Sequence, residues 1–170
     1  MYNHFIMTIT ELKNTLKKYF EVDQKIREEW SKDWDSEEML KKVTEIDAKS
    51  NELIKKIVEE FGLITISKFG KEASLHAFIL IQHMPKADLD FMKKYLKLIE
   101  ENLEDISKEH YALLKDRVLT YQDKPQIYGT QLRMNEKSKK FEVLKVIDPK
   151  NLNKRRKDLG FSTIEEYLSD

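Results

Sequence analysis

Lys71–His83, KEASLHAFILIQH, decides the fold. After its first two residues the run is apolar on nearly every side at helical length, so it reads as the most buried helix of the chain rather than a surface one. Pro85 restricts the residue before it to extended backbone and stops the helix there. A helix buried all round needs partners on several sides, and the flanking sequence supplies them. Upstream, Thr8 to Glu11 forms a capping-box pattern ahead of Leu12, Leu16, Tyr19, Phe20, Ile26 and Trp30 at helical spacing. Asp35 or Ser36 caps a second helix with Met39, Val43, Ile46, Leu53, Ile57 and Phe61 as its inner stripe, ended by Gly62. These two are expected to form an antiparallel hairpin, joined by Leu63–Phe69 and Gly70 to the buried helix. Downstream, a fourth helix is expected over 87–104, with Leu89, Met92, Leu96 and Ile99 inward. A fifth is expected over 107–121, with Tyr111, Leu114 and Val118 inward.

The period then changes. Residues 126–134 and 140–147 favour strands around a polar turn at 135–139, which predicts a β-hairpin. Asp148-Pro149 reads as a cap and first-turn proline of a short helix ending at Gly160, and Ser162 to Glu165 as a second capping box. The fold class is therefore mainly α: a bundle of about five helices with a small C-terminal β-hairpin and short terminal helices. It reads as one domain over 1–170, with the bundle at 8–121 and the hairpin and terminal helices at 125–170.

Composition narrows the function. The 170 residues suit one core. Basic and acidic residues balance at 31 each, which sets a nucleic-acid partner at a disadvantage. The absence of cysteine removes disulfides, a thiol nucleophile and Cys-based metal sites, and fits a reducing compartment. The opening MYNHFIMTITELKN lacks the basic and apolar regions of a signal peptide, and no run of about 18 apolar residues exists. A cytoplasmic location without a membrane partner is the expectation. Lys outnumbers Arg 26 to 5, so Arg27, Arg117, Arg133, Arg155 and Arg156 stand out as places where a rigid bidentate fork matters.

Candidate chemistry lies mostly in the second half. Gln82 and His83 end an otherwise apolar helix, where each polar group needs a partner; His83 suits proton transfer because imidazole titrates near neutrality. The alternative is a structural histidine at the helix carbonyls. Asp116 and Arg117 are adjacent on the fifth helix. Within PQIYGTQ (125–131), Gln126, Tyr128 and Thr130 are expected to share a strand face beside Gln131, with Gly129 allowing close backbone approach. Glu72, His76 and His83 fall on one helix face, but the histidines are about 10 Å apart along the axis, so no metal site is expected. No phosphate loop, nucleophile elbow or dinucleotide fingerprint occurs. Positions 133–157 carry 10 basic and 3 acidic residues, which offers phosphate or RNA binding, or a solvated face.

The blocks GKEASLHAFILIQH, YALLKDRV, PQIYGTQ and NLNKRRKDLGFSTIEEY, in that order, resemble an uncharacterised bacterial domain family with IQH, YAxLxDRV, PQxYGTQ and RRxxLG blocks. DQKIR (23–27) and the Asp47…Asn51 pair extend the resemblance, which covers about residues 20–167. Where that family carries Gly-Trp-Pro or Gly-x-Pro, this chain has Gly62-Leu63-Ile64. The resemblance implies no established activity. It marks Asp23, Gln24, Arg27, Asp47, Asn51, Gln82, His83, Asp116, Arg117, Gln126, Tyr128, Gly129, Gln131, Arg155 and Arg156, a mostly polar set.

The leading expectation is a pocket for a small anionic ligand bearing phosphate or carboxylate, with metal-independent hydrolase or transferase chemistry and no cofactor. His83 would transfer the proton and Asp116 would orient it. Arg117 with Arg155 or Arg156 would hold the anion, and Gln82, Gln126, Tyr128 and Gln131 would complete the pocket. Two alternatives stand beside it: a non-enzymatic protein-interaction module whose polar motif is a structural hydrogen-bond network, and weak RNA binding through the basic C-terminal segment. The sequence leaves open whether the chain is an enzyme.

Overall fold

The computed structural model describes residues 7–135 and 137–169. Of the opening stretch read for a leader, residues 1–6 lie outside it, as does position 136 in the expected hairpin turn. The chain forms two compact units, the first ending at Met84 and the second beginning at Pro85. It is mainly helical, with eight α-helices and one two-stranded sheet among the described residues.

In the first unit, α1 (Ile9–Ser31) begins at the predicted capping box. Glu11 N donates to Thr8 Oγ1 (3.2 Å) and Thr8 N donates to Glu11 Oε2 (2.8 Å). For α2 (Glu37–Phe61) the cap is Ser36, whose Oγ accepts from Met39 N (3.3 Å). The two helices are antiparallel. Met7 N at the start of α1 donates to Glu60 near the end of α2, while Arg27 farther along α1 reaches back to Asp47. Gly62 ends α2 at φ +73°, a conformation that costs other residues more. The connection read as plain holds one helical turn, α3 (Ile66–Phe69).

Helix α4 (Lys71–Gln82) is buried as expected: eight of its twelve residues are closed to solvent. It lies along α1 in parallel. Gly70 sits beside Lys13, His76 stacks on Phe20 and His83 meets Asp23, so both helices advance together. Leu12, Leu16, Ile26, Val43, Ile54, Ile57, Leu80 and Ile81 form the core. Each is worth about 1.5–3 kcal/mol on full burial.

The second unit departs more from expectation. The fourth helix is shorter: α5 spans Leu89–Glu100, flanked by 3₁₀ turns at Lys86–Asp88 and Leu103–Asp105. It packs on α6 (Lys108–Tyr121), capped by Ser107. Met92, Tyr95, Leu96 and Ile99 of α5 and Leu114 and Val118 of α6 are buried. The predicted hairpin is present but small. Strands β1 (Leu132–Met134) and β2 (Phe141–Val143) pair antiparallel, with Leu132 opposite Val143 and Met134 opposite Phe141.

The expected strand from 126 does not form, because the amides of Ile127, Tyr128 and Thr130 donate to the Asp116 carboxylate instead of a neighbouring strand. Gln126, Tyr128 and Thr130 therefore share no strand face. Asp148 is not a side-chain cap. It lies in the left-handed region at φ +44°, and its Oδ2 accepts from Asn151 Nδ2 (2.7 Å). After that turn come α7 (Leu152–Asp158) and α8 (Ile164–Tyr167). The second capping box is Thr163 with Glu166, one residue later than read.

Candidate functional site: an Asp–His pair and a carboxylate-centred loop

The first cluster is built on α1, α2 and the end of α4. Asp23 occupies a place in the apolar stripe of α1, between Leu16 and Ile26, and its side chain is only 1% exposed. His83 is the C-terminal cap of α4. Its Nδ1 lies 2.9 Å from Asp23 Oδ1 and 3.0 Å from Oδ2, although the two residues are 60 apart in sequence. One turn along α1, Arg27 donates from Nε to Asp23 Oδ1 (3.0 Å) and from Nη2 to Asp47 Oδ1 (2.6 Å). Gln24 Nε2 donates to Asp23 Oδ2 (2.8 Å). A buried carboxylate is thus held by three donors, and one of them belongs to a histidine whose side chain is 22% exposed.

The electrostatics follow from that arrangement. Burial pushes the Asp23 carboxyl up. The His83 hydrogen bond, then the charges of His83 and Arg27, outweigh it and hold Asp23 below its ordinary value. Asp47 goes the other way, because burial raises it more than Arg27 lowers it. An ionised carboxylate on Nδ1 fixes a proton there in the neutral ring, which leaves Nε2 as the base. Gln82, beside His83, is 6% exposed.

The second cluster is a loop folded around one side chain. Asp116 on α6 is 0% exposed. Its oxygens accept from Ile127 N (2.7 Å), Tyr128 N (3.1 Å), Thr130 N (3.0 Å) and Thr130 Oγ1 (3.0 Å). Gly129, at φ +69°, makes the turn, and a Cβ there would lie 3.3 Å from Ile164 and Leu152 methyls. Gln126 is fully buried; its Nε2 donates to Gln131 O and Leu144 O, and its Oε1 accepts from Gln131 N. Gln131 Nε2 donates to Thr130 Oγ1 (3.0 Å).

Arg155 and Arg156 brace the same loop. Arg155 Nε donates to Ile127 O (2.9 Å), and its Nη2 to Ile147 O (2.6 Å). Arg156, 2% exposed, donates to Ser162 O and Tyr128 O and lies over the rings of Phe161 and Tyr167. Arg117 lies over the Tyr121 ring and donates to its hydroxyl (3.4 Å). Tyr128 meets Tyr111 edge-on, and burial first, then Tyr111 and the Asp116 charge, push its hydroxyl up to about 12. A cavity of about 310 Å³ opens beside the loop, lined by Glu109, Thr130, Arg156, Phe161 and Tyr167 among others.

The residues singled out from sequence therefore gather into two sets. His83 donates its Nδ1 hydrogen bond to Asp23, whereas Asp116 is engaged with segment 127–130. Arg155 and Arg156 are engaged with main-chain carbonyls. Side-chain reasoning missed Asp23 and Asp47, which only the resemblance marked, and noted Arg27 only as one of five scarce arginines. A signal was present: Asp23 is an acid on an apolar stripe, with an arginine one turn later. Among the described residues, no group of three or more His, Asp or Glu is placed to hold a metal ion, and no helix is long and apolar enough to cross a membrane.

A helical unit with a carboxylate–histidine pair, followed by a unit built round a carboxylate-bound loop, is the class of protein these features define. A family model described as "Family of unknown function (DUF6624)" matches residues 10–170, and the chain belongs to that family. No curated protein and no solved structure matches it.

Proposed function

We propose that the first unit carries a proton-transfer site, in which His83 is the acid–base group and Asp23, not Asp116, is the carboxylate that orients it. The chemistry it serves is metal-independent hydrolysis or group transfer on a small anionic ligand bearing phosphate or carboxylate. One observation carries the reading: a buried carboxylate bonded to Nδ1 of a partly exposed imidazole and locked behind it by Arg27 and Gln24. A histidine needed only to finish a helix has no use for a carboxylate that is itself held by an arginine and a glutamine. That backing is what a general base requires, since it fixes tautomer and ring orientation.

The motif of the second unit takes the other role. Asp116, Gln126, Arg155 and Arg156 direct their polar atoms into the main chain of 126–131, 144–148 and 162, and Gln131 donates to the Thr130 hydroxyl. That supports the reading of this motif as a structural network that fixes one loop conformation. It also argues against RNA binding through Arg155 and Arg156, whose guanidinium groups are already engaged.

The test is a turnover screen with p-nitrophenyl phosphate and p-nitrophenyl carboxylate esters, beside a thermal-shift screen of metabolites and nucleotides. Wild type should turn over or be stabilised by at least one class. His83→Ala should lose turnover and Asp23→Asn should reduce it, while both keep the wild-type circular dichroism spectrum. Turnover that is the same in His83→Ala as in wild type would sink the assignment.

A further inference from the structure

The other end of α4 has a cavity of its own, of about 390 Å³, lined by Lys13, Lys17, Gly70, Lys71, Glu72 and His76 among others. Three ammonium groups face one carboxylate there. Lys17 has only a long, exposed pairing with Glu21 (3.9 Å), and Lys13 and Lys71 have no ion-pair partner among the described residues. Gly70, at φ +87°, caps the twelve-residue helix and offers no side chain to its first amides. Those amides have no intrahelical acceptor and carry the positive end of the helix dipole. Lys13 Nζ lies 3.9 Å from where a Cβ on Gly70 would stand, so one ammonium sits at the helix mouth.

A second feature points the same way. His76, on the cavity wall, is 8% exposed and stacked on Phe20 with ring centroids 4.3 Å apart. Its Nδ1 is buried with no hydrogen-bond partner. Burial lowers its proton affinity, so the ring is neutral at pH 7. An orphaned N–H is rarer in proteins than an under-used acceptor, so the proton belongs on Nε2, and the ring is left with one donor to spend. A neutral N–H donor, bare helix amides and three ammonium groups match a tetrahedral oxyanion, which accepts in several directions at once. Lysine serves such an anion as a point charge.

We propose that the N-terminal end of α4, with Lys13, Lys17 and Lys71 around it and His76 in its wall, binds a phosphate-type oxyanion. The cavity is at the small end of the ligand-pocket range of about 300–1,000 Å³ and exceeds what bare phosphate fills, so the preferred form is a phosphomonoester with a small organic group. This goes beyond the reading of His83: the two histidines are seven residues apart on one helix, about 10 Å along its axis.

The experiment is a titration of the full chain with inorganic phosphate and, separately, phenyl phosphate, at low ionic strength. It is followed by amide and histidine-ring nuclear magnetic resonance shifts. Saturable shifts at residues 70–73 and at the His76 ring are expected, with phenyl phosphate the tighter; equal affinity would still support the site and assign it to the free anion. Lys13 and Lys17 are exposed, so Lys13→Ala/Lys17→Ala keeps the fold and should weaken both ligands about tenfold or more. His83→Ala should bind as wild type, which keeps this test separate from that of the proton-transfer site. Shifts that fail to saturate, that chloride reproduces at equal ionic strength, or that survive unchanged in the double variant would overturn the proposal.

Discussion

Asp116→Asn removes one charge and exchanges one oxygen for an amide, and the loop around it sets the cost. In wild type, Oδ1 accepts from Ile127 N and Tyr128 N, and Oδ2 accepts from Tyr128 N, Thr130 N and Thr130 Oγ1. If the asparagine keeps its oxygen toward Ile127, its NH₂ faces the Thr130 amide, and a buried donor is left without an acceptor at about 1–3 kcal/mol. The Thr130 hydroxyl can rotate to accept. The amides of Ile127 and Tyr128 keep an acceptor but lose its charge, roughly 1 kcal/mol each. The opposite rotamer orphans Ile127 instead and is no better. The sum is about 3–5 kcal/mol, a large part of a typical total of about 5–15 kcal/mol. Urea denaturation by circular dichroism measures the global loss, and hydrogen exchange at the amides of 127, 128 and 130 measures the local one. With two compact units the transition need not be two-state, so amide exchange is the decisive readout. A variant within about 1 kcal/mol of wild type, with those three amides still protected, would refute the account of Asp116 as the centre of the loop.

Three further outcomes follow from burial and hydrogen bonding. Leu80 is 1% exposed in α4, so Leu80→Ala should cost about 2–5 kcal/mol. His83→Ala leaves Asp23 with Arg27 and Gln24 and should cost about 1–2 kcal/mol; equal losses in urea would make the histidine part of the architecture. Burial pulls His110 from its usual 6.5 down to about 4, so between those values the unfolded chain binds more protons than the folded one. Its contribution is complete above pH 6.5, is lost as pH falls toward 4, and amounts to about 2 kcal/mol after allowing for partial exposure. Denaturation at pH 4.5 and pH 7 should show this slope in wild type and a flatter one in His110→Gln; equal slopes would refute it.

The sequence by itself determined the local structure, because local structure follows from residues a few positions apart. Thr8 with Glu11 is a capping box wherever it begins a helix. Gly62 and Pro85 end helices for reasons of backbone geometry, and an apolar run such as ASLHAFILI (73–81) must be buried. The scarcity of arginine was also informative: Arg27, Arg117, Arg155 and Arg156 each hold a specific carboxylate, ring or carbonyl, and only Arg133 stands exposed beside Glu142. Periodicity could not find what a distant group decides. Residues 126–131 have strand composition, yet the amides of Ile127, Tyr128 and Thr130 turn to Asp116 because a buried carboxylate ten or more positions away satisfies them better than a short edge strand could. The partner of His83 was equally out of reach. Asp116 is nearer in the chain order of the motifs, but the parallel packing of α1 on α4 delivers Asp23 across 60 residues, and the choice between two aspartates was made by which helices share a core.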